Sequence, residues 1–404
     1  MTNPVHIAVI GGGITGLAAA HRVHEIATAA GLSLRLSLVE ATERLGGVVS
    51  TRVRDGYVLE EGPDSILGEK PWARQLADRL GLGPRIVGTC RETRRSFIVR
   101  KGRLHPTPEG FYLLAPTRFL PFATSPLLSP AGKLRAGLDL LIPRRHGGVD
   151  ESVGAFVTRR LGREILDRMV QPMIAGVYGA DPFRLSLHAT FPRFLQMEKD
   201  HGSIIRAMLA AGRRRAAEST PSGARYGLFF SFDAGLQVLT DALVRSLPEG
   251  AVRTGTAVRG VARVQAEQGW LLRTTQGGIP CDAVIVALPA RPAAHLLRGL
   301  DPELAERLAS IPYGTASTVT LAYPLDSIRH RLDGFGFVVP AKERLSIVGC
   351  TFAHRKYPGR APRGVACIRV FWGQNSEYLS RDDLLEQTLH ELRGLLGGMD
   401  GAPL

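Results

Sequence analysis

The sequence predicts an α/β protein with one doubly wound unit and a second region of mixed or antiparallel sheet plus helices. Three observations carry this. Residues 5–39 read as strand, glycine-rich turn, helix and strand in immediate succession. Strand patterns that suit the same sheet return at 251–290. Helical periodicity over 105–226 and strand patterns over 313–371 form a different block, so the chain crosses between two regions at least twice.

The elements follow in order. Residues 5–10 (VHIAVI) are mostly apolar and β-branched, the pattern of a buried strand. Gly11, Gly12, Gly13, Ile14, Thr15 and Gly16 come next, then an Ala-rich helix over 17–30 and a second strand over 34–39 that ends at Glu40. In such a unit Gly11 permits the tight turn, Gly13 lets backbone approach a pyrophosphate, and Gly16 lets helix and strand pack closely. The helix N-terminus offers unpaired N–H groups and partial positive charge to phosphates. Glu40 lies 24 residues past Gly16, where a carboxylate can accept from ribose hydroxyls.

Farther on, 252–258 reads as a strand, and 260–273 alternates around Gln268-Gly269 as a hairpin. Residues 282–288 (DAVIVAL) read as a buried strand. Helices are expected over 131–141, 152–161, 164–174 and 204–217, strands over 315–323, 336–339, 345–352 and 365–371, and a closing helix over 381–396. The expected division is 1–90 with 227–290 as the nucleotide domain, 91–104 with 291–404 as a substrate domain, and 105–226 as a helical region.

Composition narrows the function classes. At 404 residues, 44% hydrophobic and 22% charged, the chain has a globular balance that excludes disorder as its dominant state. The net charge is +14, and 45 of the 51 basic residues are Arg. That usage fits genome composition, or else an anionic cofactor, an acidic substrate or a membrane surface. The four cysteines are far apart, with neither metal nor disulfide spacing, which suits a reducing cytoplasm. No metal site is expected, and His188 and His201 lack ligand partners at useful spacing. No signal-peptide pattern or apolar run of 18 residues is expected to direct the chain across a membrane. Nothing points to nucleic acid.

The stretch Glu40-Ala41-Thr42-Glu43-Arg44-Leu45-Gly46-Gly47 resembles the E-x(3)-R-x-G-G signature of the amine oxidase-like flavoproteins. The resemblance implies FAD. Glu40 and Ala41 would hold the adenosine ribose, while Arg44, Gly46, Gly47 and Val48 would face pyrophosphate and flavin. It also places Gly62, Pro63, Asp64 and Ser65 beside the isoalloxazine and the backbone of Val258 against the adenine. Physical reading alone leaves the 62–65 turn a rigid loop and Val258 an ordinary sheet residue.

Across nearly its whole length the chain further resembles the oxygen-dependent protoporphyrinogen/coproporphyrinogen oxidase family. The carrying segments are LLSPAGKLRAGLDLLIPRR (127–145), VDESVGA (149–155), IAGVYGADPFRLSL (174–187), TFPRF (190–194) and FDAGL-x-VL (232–239). The resemblance implies a Rossmann-like FAD domain and the six-electron oxidation of a porphyrinogen to a porphyrin, with O2 as acceptor. The flavin then carries the hydride chemistry, and no protein side chain is assigned a catalytic role. Gly176 matches a glycine whose carbonyl faces the tetrapyrrole. An arginine that pairs with a propionate aligns with Ser96, and Arg95 or Arg94 beside it takes the role, with Arg95 preferred. The family also implies that relatives run on past the 381–396 helix with a strand and a flavin-cradling turn, so weak FAD retention is expected of the 404-residue chain. The rivals are another flavin amine oxidase or desaturase, a tetrapyrrole-binding protein without activity, and an NAD dehydrogenase, which leaves Arg44, Gly46 and Gly47 unexplained. Peripheral membrane contact is expected through Phe111, Tyr112, Leu113, Leu114, Phe119, Leu120 and Phe122, flanked by Arg118, Lys133 and Arg135, unless these residues pack inside. The protein would be cytoplasmic, or held at the inner face of the cell membrane. Oligomeric state and the choice between the two porphyrinogens stay open.

Overall fold

The computed structural model describes residues 4–404 except 94, 113–114, 117–118, 146, 148, 218–228, 265–268 and 374–375. It divides into two compact units, 1–88 with 225–313 and 89–224 with 314–404.

The first unit is built on four parallel strands: β1 (Val5–Ile10), β2 (Leu34–Val39), β3 (Val252–Arg253) and β4 (Ala283–Val286), in the order β3-β2-β1-β4. Period-2 alternation serves both faces of the sheet. Val9, Leu36 and Leu38 pack with Leu17 of the helix α1 (Ile14–Ala29) on one face. Ala8, Ile10 and Val39 pack with Val261, Leu272 and Ile279 of an antiparallel three-stranded sheet on the other. The helix starts at Ile14 rather than 17, because Gly13 takes the N-cap in extended conformation.

Two expectations need correction. The strand expected over 252–258 is broken. Val252–Arg253 pairs with β2, and Val258–Val264 belongs to the antiparallel sheet. Gly255, at φ +60°, turns the chain, and the N–H groups of Gly255 and Thr256 donate to the carbonyls of Thr42 and Glu40 at 3.0 and 2.8 Å. The 282–288 strand is an edge strand and only half-buried, so its apolar run reflects one covered face. Of the hairpin turn at Gln268-Gly269, residue 268 lies outside the described residues.

The second unit holds a six-stranded mixed sheet, in the order Ser317–Pro324, Val365–Trp372, Ile347–Phe352, Gly336–Val338, Phe97–Arg100, Arg103–Pro106. All neighbours are antiparallel except Gly336–Val338 with Phe97–Arg100. The closing helix Arg381–Leu396 starts at a Ser380/Asp383 capping box and packs Leu392 and Leu396 into this sheet's core.

The helical part of this unit packs around Phe156, Ile165, Met169 and Phe194. The helix expected over 164–174 is not regular: Leu166–Val170 forms a π-turn before Gln171–Tyr178. Pro172 has no N–H for an ordinary i−4 bond, and the Gln171 N–H reaches back to Leu166 O. Beside it the fully buried Arg160 pairs with Asp139 and Glu198 and donates to the carbonyls of Asp139, Ile142 and Gly202. No helix among the described residues is long and apolar enough to cross a membrane.

Candidate cofactor and substrate site

β1, β2 and β4 end in register, with Ile10 beside both Val39 and Val286. The residues after them therefore meet at one edge, with β2 and β4 on either side of β1. Open α/β sheets bind ligands at such an edge.

The glycines at this edge do two different jobs. Gly11 stands at φ +107°, and a Cβ there would lie 2.5 Å from Ala287 O. A Cβ on Gly16 would lie 1.8 Å from Gly11 O. Both are demanded by the fold itself. Gly13 is not, since its nearest neighbour for a Cβ would be Gly47 Cα at 3.9 Å. The missing side chain leaves a hollow at the N-terminus of α1. That helix has no side-chain cap and no acidic residue in its first turn. Its leading N–H groups and positive end are left for an external anion. The residues present fit the pyrophosphate of a dinucleotide.

Glu40 fits the neighbouring ribose. Its carboxylate accepts from Gly12 N–H at 2.7 Å and from the Thr42 N–H and hydroxyl at 2.9 Å each. This fixes the side chain while leaving a lone pair on Oε2 for a hydroxyl donor. Thr42 and Ala41 are exposed beside it.

The second glycine loop is stitched to the first. Gly46 N–H donates to Gly12 O at 2.8 Å, and Gly13 and Gly46 form an isolated parallel bridge. Arg44 curls over its own loop and donates to the carbonyls of Leu45, Gly47 and Val49. Its guanidinium thus shapes the 45–49 ledge as well as charging it. Val49 is anchored in the core while Gly47 and Val48 are exposed. Gly62 packs on this ledge so closely that a Cβ would sit 1.7 Å from Val48 O. Pro63, Asp64 and Ser65 continue from it, with the Ser65 hydroxyl donating to Asp64 at 2.6 Å. Val258 lies half-buried against the core that holds Ala8 and Ile10, next to a register shift in its strand.

In the second unit, Gly176 is exposed inside the helix Gln171–Tyr178, which ends instead at Gly179 in left-handed conformation. Its carbonyl belongs to the last turn, where helices leave acceptors unused. Val338 packs beneath it, 3.7 Å from where a Cβ would be. Tyr178 is exposed at the helix end, edge-on to Phe191, and partial burial raises its hydroxyl pKa. Arg95 is exposed and pairs loosely with Asp333, at 3.3 Å. Arg94 lies outside the described residues. Ser96, which stands at the aligned position, bonds to Thr107 across the strand pair at 3.1 Å.

The apolar residues expected at a surface divide. Phe122 and Phe111 pack into the helical core, which corrects their assignment. Leu120 is exposed, as are Leu134, Leu138, Leu141 and Val149. Leu113, Leu114 and Arg118, and the side chains of Tyr112 and Phe119, lie outside the described residues. Arg135 is tied to the carbonyls of Thr158, Arg159 and Arg160.

Sequence reasoning missed Thr51 and Glu60, whose side chains accept from the N–H groups of Gln237 and Leu236. Their partners lie 186 and 176 residues away, so no local pattern announces them.

The family model for flavin containing amine oxidoreductases matches residues 14–403. A coproporphyrinogen III oxidase of Bacillus subtilis (strain 168) is 33% identical over 98% of this chain and 84% of its own length. One from Propionibacterium freudenreichii is 36% identical over 97% and 77%. The chloroplastic protoporphyrinogen oxidase 1 of Arabidopsis thaliana is 30% identical over 96% and 74%. A crystal structure from Exiguobacterium sp. 255-15, provisionally named a protoporphyrinogen oxidase, superposes with TM-score 0.86 at 28% identity, over 100% of this chain and 85% of the other.

Proposed function

This chain belongs to the flavin containing amine oxidoreductase family, and from that premise we propose that it oxidises a porphyrinogen to the porphyrin, with FAD as cofactor and O2 as terminal acceptor. The observation that carries the reading is the hollow at Gly13, flanked by Glu40 and Gly47, in a chain whose whole length is similar to porphyrinogen oxidases. Coproporphyrinogen III is the favoured substrate, because the coproporphyrinogen III oxidases are 33–36% identical and the plant protoporphyrinogen oxidases 28–31%. A substrate of several carboxylates also suits a chain of net charge +14.

When bound, the flavin supplies the hydride acceptor and the path of electrons to O2. The chain supplies position and charge. N–H groups at the start of α1 hold the pyrophosphate over Gly11, Gly12, Gly13, Ile14, Thr15 and Gly16. Glu40 receives a ribose hydroxyl on Oε2. Arg44 keeps the Gly46–Gly47–Val48 ledge in shape and sets positive charge beside the phosphates. The 62–65 turn flanks the flavin, and Val258 the adenine. Gly176 offers its carbonyl to a pyrrole N–H, and Arg95 exchanges Asp333 for a substrate carboxylate. On this reading 1–90 and 227–290 bind FAD, 91–104 and 291–404 serve the substrate, and 105–226 is the helical region.

The test is to reconstitute the protein with FAD and follow flavin bleaching without oxygen, then the porphyrin Soret band on aeration. Both porphyrinogens are used. Bleaching and a Soret band are expected, faster with coproporphyrinogen III. Flavin-loaded protein that is bleached by neither overturns the reading.

Peripheral membrane contact is proposed through Leu120, Leu134, Leu138 and Leu141, with Lys133, Arg144 and Arg145 near in sequence. Flotation with anionic vesicles tests it. A Leu134→Asp/Leu141→Asp variant floats less than the parent, and a parent that stays in the soluble fraction at low salt refutes the contact.

A further inference from the structure

Residues Thr51 and Glu60 close the open end of a hairpin, Thr51–Arg54 with Tyr57–Glu60, where they stand directly opposite one another. Loops 46–50 and 61–65 leave the hairpin at this same end, joined by Glu61 N–H to Ser50 O at 2.9 Å. The nearby helix Gln237–Arg245 has no side-chain cap of its own and no acid in its first turn. Two of its leading N–H groups are satisfied from the hairpin. Leu236 N–H donates to Glu60 Oε1 at 2.9 Å, and Gln237 N–H donates to Thr51 Oγ1 at 3.0 Å. The Thr51 hydroxyl donates in turn to Glu60 Oε2 at 2.6 Å. Glu60 is only 7% exposed, so these bonds are shielded from water. Gly235 lets the two pieces meet, for at φ +88° a Cβ there would lie 2.2 Å from Thr51 Cγ2. The arrangement is a helix N-terminus whose orphan donors are satisfied by two side chains of a strand pair far away in sequence.

We infer that Thr51 and Glu60 are positioning residues for the flavin, fixing the height of the 46–50 and 61–65 loops by pinning their common root to the helix Gln237–Arg245. This rests on the proposed placement of those loops beside the cofactor. The pin is directional. The hydroxyl must accept from one group and donate to another, which serine also does and valine does not. Neither residue touches the cofactor; each acts through the loops.

The experiment compares the full-length holoenzyme with its Thr51→Val, Thr51→Ser and Glu60→Gln variants. FAD release is followed by the recovery of flavin fluorescence on dilution, and amide exchange is followed over 46–50 and 61–65. Thr51→Val is expected to speed release by about tenfold, the equivalent of ~1.4 kcal/mol, and to raise exchange in both loops. Thr51→Ser is expected to match the parent in both readouts. Glu60→Gln keeps the shape but misplaces one donor, and falls between. Release and exchange unchanged in Thr51→Val overturn the inference. So does Thr51→Ser behaving like Thr51→Val, which would mean that side-chain bulk alone matters. Faster exchange with unchanged release means the loops are pinned but do not position the flavin, and this too overturns it. If Thr51→Val does not fold, Glu60→Gln supplies the same decision. A failure of the cofactor placement itself shows separately, as a Gly13→Ala variant that keeps FAD.

Discussion

Replacing Gly13 by Ala separates a cofactor hollow from a merely tight turn. A methyl group there has 3.9 Å to its nearest neighbour, Gly47 Cα, so the apo fold has room for it. Gly13 is the N-cap at φ −71°, an ordinary value for any residue. The change costs apo stability no more than about 1 kcal/mol, the penalty for a poor N-cap. A bound pyrophosphate has no such room. Pushing it off the helix N-terminus removes two or three hydrogen bonds to a charged group, at roughly 1.5–3 kcal/mol each. The loss of several kcal/mol weakens FAD by about a hundredfold or more. The assay is a fluorescence titration of apo protein with FAD, run beside urea unfolding of each apo form. Gly16→Ala is the control, because its Cβ would fall 1.8 Å from Gly11 O and should damage the fold itself. A Gly13→Ala protein that folds normally and binds FAD like the parent refutes the reasoning.

Three further outcomes are expected. Glu40→Gln turns an NH2 toward one of the N–H donors that the carboxylate now accepts from, Gly12 or Thr42; FAD affinity should fall about tenfold or more, from ~1–3 kcal/mol per unsatisfied group, and an unchanged titration would remove Glu40 from the site. Arg160→Met leaves Asp139 buried without its guanidinium; urea unfolding should show a loss of about 3–5 kcal/mol, and a loss under 1 kcal/mol in a refolded control would show the pair to be dispensable. His354 is held down to about 4, chiefly by burial, against an ordinary value of 6.5. Its folded form resists the proton that the unfolded chain accepts, so this group erodes stability as pH falls from about 6.5 to about 4 and adds no further slope below that. His354→Gln should flatten urea midpoints across this window, and an identical pH profile would contradict the assignment.

What the sequence made legible is what neighbouring residues decide. The strand–turn–helix–strand run over 5–39 follows from apolar alternation and glycines at fixed offsets, and it folds at those places. The closing helix Arg381–Leu396 announces its own start with Ser380 and Asp383. What was not legible depends on partners far along the chain. Nothing near 252–258 shows that Gly255 and Thr256 will donate to carbonyls of Thr42 and Glu40. Arg160 reads as one more charge in a basic stretch until Asp139 and Glu198 enclose it. Arg95 reads as a candidate for a substrate carboxylate, and nothing near it announces its partner Asp333, 238 residues away. The π-turn at Leu166–Val170 is an intermediate case, since Pro172 warns of a break without saying which way the helix will yield.

The strand order β3-β2-β1-β4 also has a consequence for how the protein is made. β1 and β2 leave the ribosome early, but β4, which covers the other edge of β1, does not exist until Val286 has been translated. At about 5–20 residues per second, that interval lasts on the order of tens of seconds. Throughout it the nascent chain carries β1 with one row of backbone donors and acceptors unclaimed, while the helical region and part of the other sheet emerge and begin to fold. The glycine turn at Gly11 to Gly16 is synthesised first, yet the strand end that packs against it at Ala287 follows more than 270 residues later. The glycine turn is therefore incomplete as a flavin site until the strand ending at Val286 has paired with β1, so the cofactor cannot be what holds the early strands in place.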